Sequence, residues 1–297
     1  ILSAVVIIAG FVTMGVHKGN GGDALNYSLE FKGGTSTSVE FNEDMSIEEL
    51  DEKVVPIIEE ISKDANVQTQ KVQGSNQVIF KSATLDVSQR EELNSRLEEE
   101  FGVDPEKITA ETISSTISSE MRTGAVSAVV VSTVLMLLYV WFRFKDVRFG
   151  ASSVAALVHD VLVVLAFYAA ARVSVGNTFI ACMLTIVGYS INATIVIFDR
   201  IRENMTSYKT KEELAAIVNR SISQTLSRSI FTSLTTFIMV AVLYILGVSS
   251  IKEFALPLMV GIACGTYSSI CLASAFWYLL RTRVGGKKAE KNKKAAK

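Results

Sequence analysis

The sequence predicts a multi-pass α-helical membrane protein with six spans and one α+β domain on the outer side of the membrane. Three observations lead there. Six apolar runs recur at or near the roughly 20 residues a helix needs to cross a hydrocarbon core. Charge is segregated along the chain. One long polar stretch, between the first and second apolar runs, alternates strand-like and helix-like patterns with turn residues between them.

The chain has 297 residues, with 29 Lys and Arg against 30 Asp and Glu, and 49% of its residues are hydrophobic. That apolar content excludes a disordered, collagen-like or disulfide-rich chain. The net charge of −1 conceals a division. Between Lys18 and Met121 there are 22 acidic and 9 basic residues, a charge of −13. The remaining 8 acidic and 20 basic residues give the rest of the chain +12. The three cysteines, Cys182, Cys264 and Cys271, lie in apolar runs. Neither a disulfide framework nor a metal site is expected from them.

The spans are read at residues 1–16, 123–142, 150–171, 178–198, 230–248 and 254–280. At about 1.5 Å per residue the first covers only about 24 Å, so it is expected to be an N-terminally truncated transmembrane helix. A signal peptide is the rival reading, but no basic n-region or small-residue cleavage site accompanies the run. Basic residues orient the spans. Arg143, Lys145 and Arg148 follow the second, while Arg200, Arg202, Lys209, Lys211, Arg220 and Arg228 follow the fourth. A basic tail, residues 281–297, follows the sixth. By the positive-inside rule these segments are cytoplasmic, both termini are inside, and the acidic stretch is outside. Anionic lipid headgroups explain the tail more simply than a nucleic acid.

Residues 27–116 read as the outer domain. Strands are expected at 26–31 and 36–41, separated by Gly33-Gly34. A helix follows, opened by a Ser46/Glu49 capping box and interrupted or kinked at Pro56. Residues 67–72 and 77–81 form a candidate hairpin. A second helix, with Ser88 and Glu91 as its capping box, uses Leu93, Leu97 and Phe101 and stops at Gly102. The last strand is 107–113. With the first strand set aside as an entry segment, the order β-α-β-β-α-β is that of a ferredoxin-like fold. The domain has no His and no Cys, and its paired carboxylates suit solvated helix faces, so no catalytic residues are expected.

Ionisable groups inside a span mark functional sites by default. Residues 123–280 are read as a five-helix transmembrane bundle, and its third span carries His159-Asp160 about ten residues in. Asp160 is the only carboxylate within the spans as bounded above. Asn192 and Arg228 join His159 and Asp160 as ion-relay candidates. Each also has a plainer reading: a hydrogen-bond partner for a neighbouring helix, or, for Arg228, a snorkelling interfacial anchor. Gly261, Gly265 and Ser269 recur at i, i+4 and i+8, a small-residue stripe for helix packing.

Several longer segments resemble a known family. They are Glu30-Phe31-Lys32-Gly33-Gly34-Thr35, His159-Asp160-Val161-Leu162, and Gly188-Tyr189-Ser190-Ile191-Asn192. Phe198-Asp199-Arg200-Ile201-Arg202-Glu203-Asn204, the run from Asn219 to Arg228, and Gly265-Thr266-Tyr267-Ser268-Ser269 follow in the same order. Together they are similar to the SecF branch of the SecD/SecF family, within the resistance-nodulation-division superfamily. The resemblance implies one periplasmic domain between spans one and two, and a location in the bacterial cytoplasmic (inner) membrane. Its implied partners are SecD, the SecYEG translocon and the exported preprotein. It also implies use of a proton or sodium gradient to assist late steps of export, with no cofactor. Gly33, Gly34, Tyr189, Ser190, Asp199, Arg200, Arg202 and Glu203 are its motif residues. The chain departs from the pattern once: Ala193 follows Asn192 where family members commonly carry Asp. Two alternatives stay open at this point. One is a small-molecule or lipid exporter of the same superfamily; the other is a structural translocon subunit that transduces nothing.

Overall fold

A computed structural model describes residues 2–19, 22–64, 67–72, 75–205 and 210–283. Lys209, residues 73–74 of the expected hairpin and residues 284–297 of the basic tail lie outside the described residues. The chain divides into two units, one of Tyr27–Ala125 and one of Ile1–Asn26 with Val126–Lys297.

The Tyr27–Ala125 unit is built on four strands, β1 (Gly34–Glu40), β2 (Gln68–Lys71), β3 (Gln77–Ser82) and β4 (Ile108–Ile113). They form one sheet in the order β2-β3-β1-β4, with every neighbouring pair antiparallel. Val39 on the central strand lies opposite Val78 on one side and Ile108 on the other. Alternation does the rest: Thr35, Thr37 and Val39 are buried on one face of β1, with Val78 and Phe80 beside them on β3. Against that face pack Leu50, Val54, Ile58 and Ile61 from the first helical segment, and Leu93 and Leu97 from the second.

Pro56 marks a boundary, one of the two outcomes its ring allows. Two helices, Ile47–Lys53 and Val55–Ser62, meet there, with the proline in the first turn of the later one, where its missing N–H costs nothing. The Ser46/Glu49 capping box is present. The second box differs from expectation. Asp86 and Gln89, not Ser88 and Glu91, cap the helix Val87–Phe101, and the Ser88 hydroxyl donates to the Asp86 carboxylate at 2.7 Å. An aspartate competes well as an N-cap, so the helix starts earlier. Gly102 ends it in the left-handed region, at φ 62°.

The expected strand at 26–31 is a second correction. Leu29–Lys32 instead makes one helical turn, closed by the Gly33 N–H donating to the Leu29 carbonyl at 2.8 Å. Gly33 at φ 77° and Gly34 at φ 123° carry the chain from that turn into β1. A Cβ on Gly34 would run into the Ser82 carbonyl, so both conformation and space demand glycine there.

Among the described residues, five helices are long and apolar enough to cross a membrane: Ser115–Phe144, which begins in the Tyr27–Ala125 unit, and Val147–Ala171, Asn177–Asn204, Lys211–Leu246 and Ile251–Arg283 in the other. They are called here αA to αE in that order. Leu2–Gly19 is a shorter apolar helix, and Gly10 on it abuts Ala166 of αB so closely that no Cβ would fit. αA and αD leave large apolar side chains exposed, among them Val131, Leu135, Phe142, Phe231, Met239 and Leu246, as suits helices with lipid around them. αB, αC and αE are packed more deeply. Near one end of the bundle Phe149 stacks on Trp277 at 4.8 Å and meets Phe198 at 4.9 Å. αE is not uniform, because Ser268–Ala273 forms a π-helical turn.

The Tyr27–Ala125 unit yields two expectations. Phe80→Ala removes a fully buried ring and is expected to cost about 3–5 kcal/mol; native-state amide exchange in β1 and β3 should report the loss. The second concerns acid. Hydrogen bonds from the Ser46 backbone and hydroxyl hold the Glu49 carboxyl below its ordinary 4.5. Those from the Gln89 backbone and the Ser88 hydroxyl hold Asp86 below 3.8. A folded pKa below the unfolded one gives stability that is complete above the unfolded value and is lost as pH falls through the folded one. Amide protection at the starts of the Ile47–Lys53 and Val87–Phe101 helices should therefore fall as pH drops below those ordinary values. Asp86→Asn, which keeps the cap without the charge, should remove that pH dependence from the Val87–Phe101 helix alone.

Candidate functional site

Asp160 is the most constrained polar residue of the helical bundle. It lies on αB with no exposed surface. Its Oδ2 accepts from the Ser190 hydroxyl of αC and from the Ser268 hydroxyl of αE, both at 2.6 Å. Its Oδ1 faces the Cys264 thiol at 3.3 Å and the His159 Nδ1 at 3.0 Å. A carboxylate offers about four lone-pair directions, and four donor-capable groups from three helices converge on them. The network extends one layer further. Thr194 and Ser269 share a hydrogen bond at 2.9 Å, and the Ser269 hydroxyl also donates to the Ser190 carbonyl at 3.1 Å.

Local sequence explains the convergence. Ser190 and Thr194 are one helical turn apart on αC and so share a face. Cys264 and Ser268 are likewise one turn apart on αE, and the π-helical turn begins at Ser268. Such turns insert an extra residue and are frequent at functional sites. Small residues bring αE close enough. A Cβ on Gly261 would collide with the Ile186 side chain, and one on Gly265 would lie 3.3 Å from the Ser190 Cβ. Gly261, Gly265 and Ser269 therefore all face αC.

The four ion-relay candidates do not form one cluster. His159 and Asp160 are together, and the His159 ring is also 6.2 Å from that of Tyr267. Asn192 and Arg228 lie apart from them, lining a cavity of about 80 Å³ between αC and αD with Tyr189, Ala193 and Ser229. αC thus presents Ser190 and Thr194 to Asp160, and Tyr189, Asn192 and Ala193 to αD. Among the described residues no hydrogen bond or ion pair joins Arg228 to a partner.

The remaining motif residues have clear places. Arg143 donates to Asp199 at 2.8 Å, and Arg200 donates to Glu203 at 2.6 Å and to Gln224 at 2.7 Å. Arg202 reaches the Arg143 carbonyl at 3.3 Å, and Asn204 donates to Ser221 and Gln224. These half-exposed pairs are individually weak, but together they tie the end of αC to αA on one side and to αD on the other. Gly33 and Gly34 line a separate cavity of about 340 Å³ with Lys32, Lys63 and Lys81.

Cys264 and Ser268 both donate to Asp160, yet neither is among the sequence's relay candidates, although Ser268 lies in a segment that carries the family resemblance. The i, i+4 spacing of Cys264 and Ser268 was the available signal; the π-helical turn left none. His159 Nδ1, the Asp160 carboxylate and Cys264 Sγ lie within 4.8 Å of one another. Imidazole, carboxylate and thiolate are chemically suited to zinc, so this trio is where the bundle's described residues would hold such an ion. Gly261→Val should overpack the Ile186 contact, cost about 1–3 kcal/mol and lower the unfolding temperature of the purified chain. Gly124→Val, at an exposed position where nothing lies within 4 Å of an added Cβ, is the control and should change little.

Residues 93–283 match the family described as protein export membrane protein SecD/SecF, C-terminal. The protein translocase subunit SecF of Sebaldella termitidis is 38% identical over 271 residues, covering 91% of this chain and 86% of the relative. The protein translocase subunit SecDF of Thermus thermophilus is 38% identical over 270 residues, which is 90% of this chain but 36% of that one. A crystal structure of SecDF from the same organism, described as a translocon-associated membrane protein, superposes with a TM-score of 0.77 at 36% identity. It covers 95% of this chain, and this chain spans only 38% of its length. A second SecDF crystal structure, in a super-membrane-facing form, gives a TM-score of 0.65 at 36% identity. Matched along most of its length by these relatives and over the larger part by the family itself, the chain belongs to the SecD/SecF family of protein-export membrane proteins.

Proposed function

We propose that the chain is a SecF-type translocase subunit that works with a SecD-type partner, using a transmembrane ion gradient to assist late steps of preprotein export through SecYEG. The saturated Asp160 carboxylate carries this reading. The Ser190 and Ser268 hydroxyls and the Cys264 thiol donate to it and the His159 ring lies against it, so uptake of a proton or sodium ion must displace at least one of them. Those groups sit on different helices, and changing the charge of one residue therefore repacks αB, αC and αE together. That is the physical requirement for turning ion passage into movement. The role involves no covalent chemistry and no cofactor.

The same reading extends to architecture. Leu2–Gly19 is the sixth span, supported by the packing of Gly10 on Ala166. The partition is a first transmembrane helix at 1–16, a periplasmic domain at 27–116, a five-helix bundle at 123–280 and a basic tail at 281–297. The observed strand order β2-β3-β1-β4, with two helical crossovers, supports a ferredoxin-like domain. Both termini lie on the cytoplasmic side of the inner membrane, where anionic lipid meets the basic segments. The domain at 27–116 meets the emerging preprotein on the outer side.

Export of a model preprotein into vesicles holding the translocon, the SecD-type partner and this chain tests the proposal. Asp160→Asn is expected to lower the gradient-driven rate to that seen after the gradient is collapsed, with the chain still folded by its melting curve. Export that ignores both the collapse and the substitution would leave Asp160 as a structural brace and end the transducer reading.

A further inference from the structure

We infer that the cavity between αC and αD at Ala193 binds a small monovalent anion, with chloride as the physiological occupant. The argument starts from donors that lack acceptors. Ser229 is 6% exposed and its hydroxyl has no hydrogen-bond partner among the described residues. The Tyr189 hydroxyl on the facing helix is buried and equally unpartnered. Both residues line the cavity, as do Arg228 and Asn192. Among the described residues no carboxylate lines it, and αC contributes Ala193, a methyl group, to its wall.

Buried polar groups in folded proteins are almost always paired, so two orphaned hydroxyls around one cavity ask for a shared acceptor. Water satisfies hydroxyls, and at roughly 30 Å³ per molecule the space of about 80 Å³ admits two or three. Water leaves unbalanced the positive charge that Arg228, itself exposed, brings to the edge of the cavity. An anion does both at once. It accepts from Ser229, Tyr189 and the Asn192 amide while pairing with Arg228, and the volume holds one halide with a water or two. The cavity is also reachable. Asn192 and Ala193 lie six to seven residues before Asp199, about 9–10 Å along the helix from the charged Asp199–Asn204 segment.

This inference does not depend on the proposed export role, since it concerns what occupies the cavity and not what the chain drives. The full-length chain in lipid nanodiscs is unfolded by heat in rising sodium chloride, with gluconate holding ionic strength constant so that screening does not change. A ligand that binds only the folded chain raises the unfolding temperature, so a saturable rise is expected, with bromide substituting for chloride. Ala193→Asp builds a carboxylate into the cavity and should abolish the response. Arg228→Gln should weaken half-saturation by at least about tenfold, the loss expected of removing a charged hydrogen-bond donor, and Ser229→Ala by less. If Ala193→Asp does not fold, bromide anomalous scattering from wild-type crystals supplies the readout, with a peak expected between Arg228 and Tyr189. A wild-type chain with no saturable halide response overturns the inference, as does a response unchanged in Ala193→Asp. Loss of the response on adding the SecD-type partner would show that a side chain of the partner is the acceptor, and the free-anion reading would then fail.

Discussion

The bundle is organised around one carboxylate that cannot be left alone. Burying a carboxyl group in a low-dielectric interior is costly unless its hydrogen-bonding capacity is met, and meeting that of Asp160 takes groups from αB, αC and αE at once. Ser190 and Ser268 must approach within 2.6 Å, which fixes how αC and αE lie against αB. Gly261 and Gly265 follow from the same demand, since bulkier residues there would hold αE away from αC. The aromatic stack of Phe149 and Trp277 joins αB to αE further along, so the hydroxyl contacts are not carried by hydrogen bonds alone. Removing the acceptor orphans several donors together, a cooperative loss that pairwise accounting underestimates.

Much of this was legible in the sequence. Apolar run lengths and charge placement give the five long helices, and Gly102 and Pro56 act where their backbone constraints require. The acidic-Phe-x-Gly-Gly-Thr segment is also readable in retrospect, because Gly34 is the residue over which the Ser82 carbonyl lies. The misreadings have a common cause. Residues 26–31 carry a strand-like mixture, yet the positive φ angles of Gly33 and Gly34 set the local path and leave a helical turn before them. Ser88 looked like a cap, but Asp86 two residues earlier competes for the same role. Local competition of this kind is settled by neighbours that a one-dimensional pattern does not rank.

The candidate site was half legible for a different reason. Asp160 and His159 stand out because charge is rare in spans, whereas Cys264 and Ser268 look like ordinary small residues of a packing helix. Their chemistry exists only through their orientation toward αB. Asn192 and Arg228 lie apart from that pair, because neighbours in sequence on αC divide between two faces. Ser190 turns to Asp160, and Tyr189, one residue before it, turns to αD. Grouping all four candidates overlooked the 100° step between successive helical residues.

The π-helical turn at Ser268–Ala273 also sets a limit on reading αE as a single cylinder. One extra residue in a turn shifts everything after it by about 100° around the axis relative to an uninterrupted α-helix. The segment bearing Gly261 and Gly265 and the segment bearing Trp277 are therefore two helices of different phase sharing one axis. A four-residue stripe begun at Gly261 loses its meaning after Ser269, and the face that meets Phe149 has to be counted afresh from Ser274.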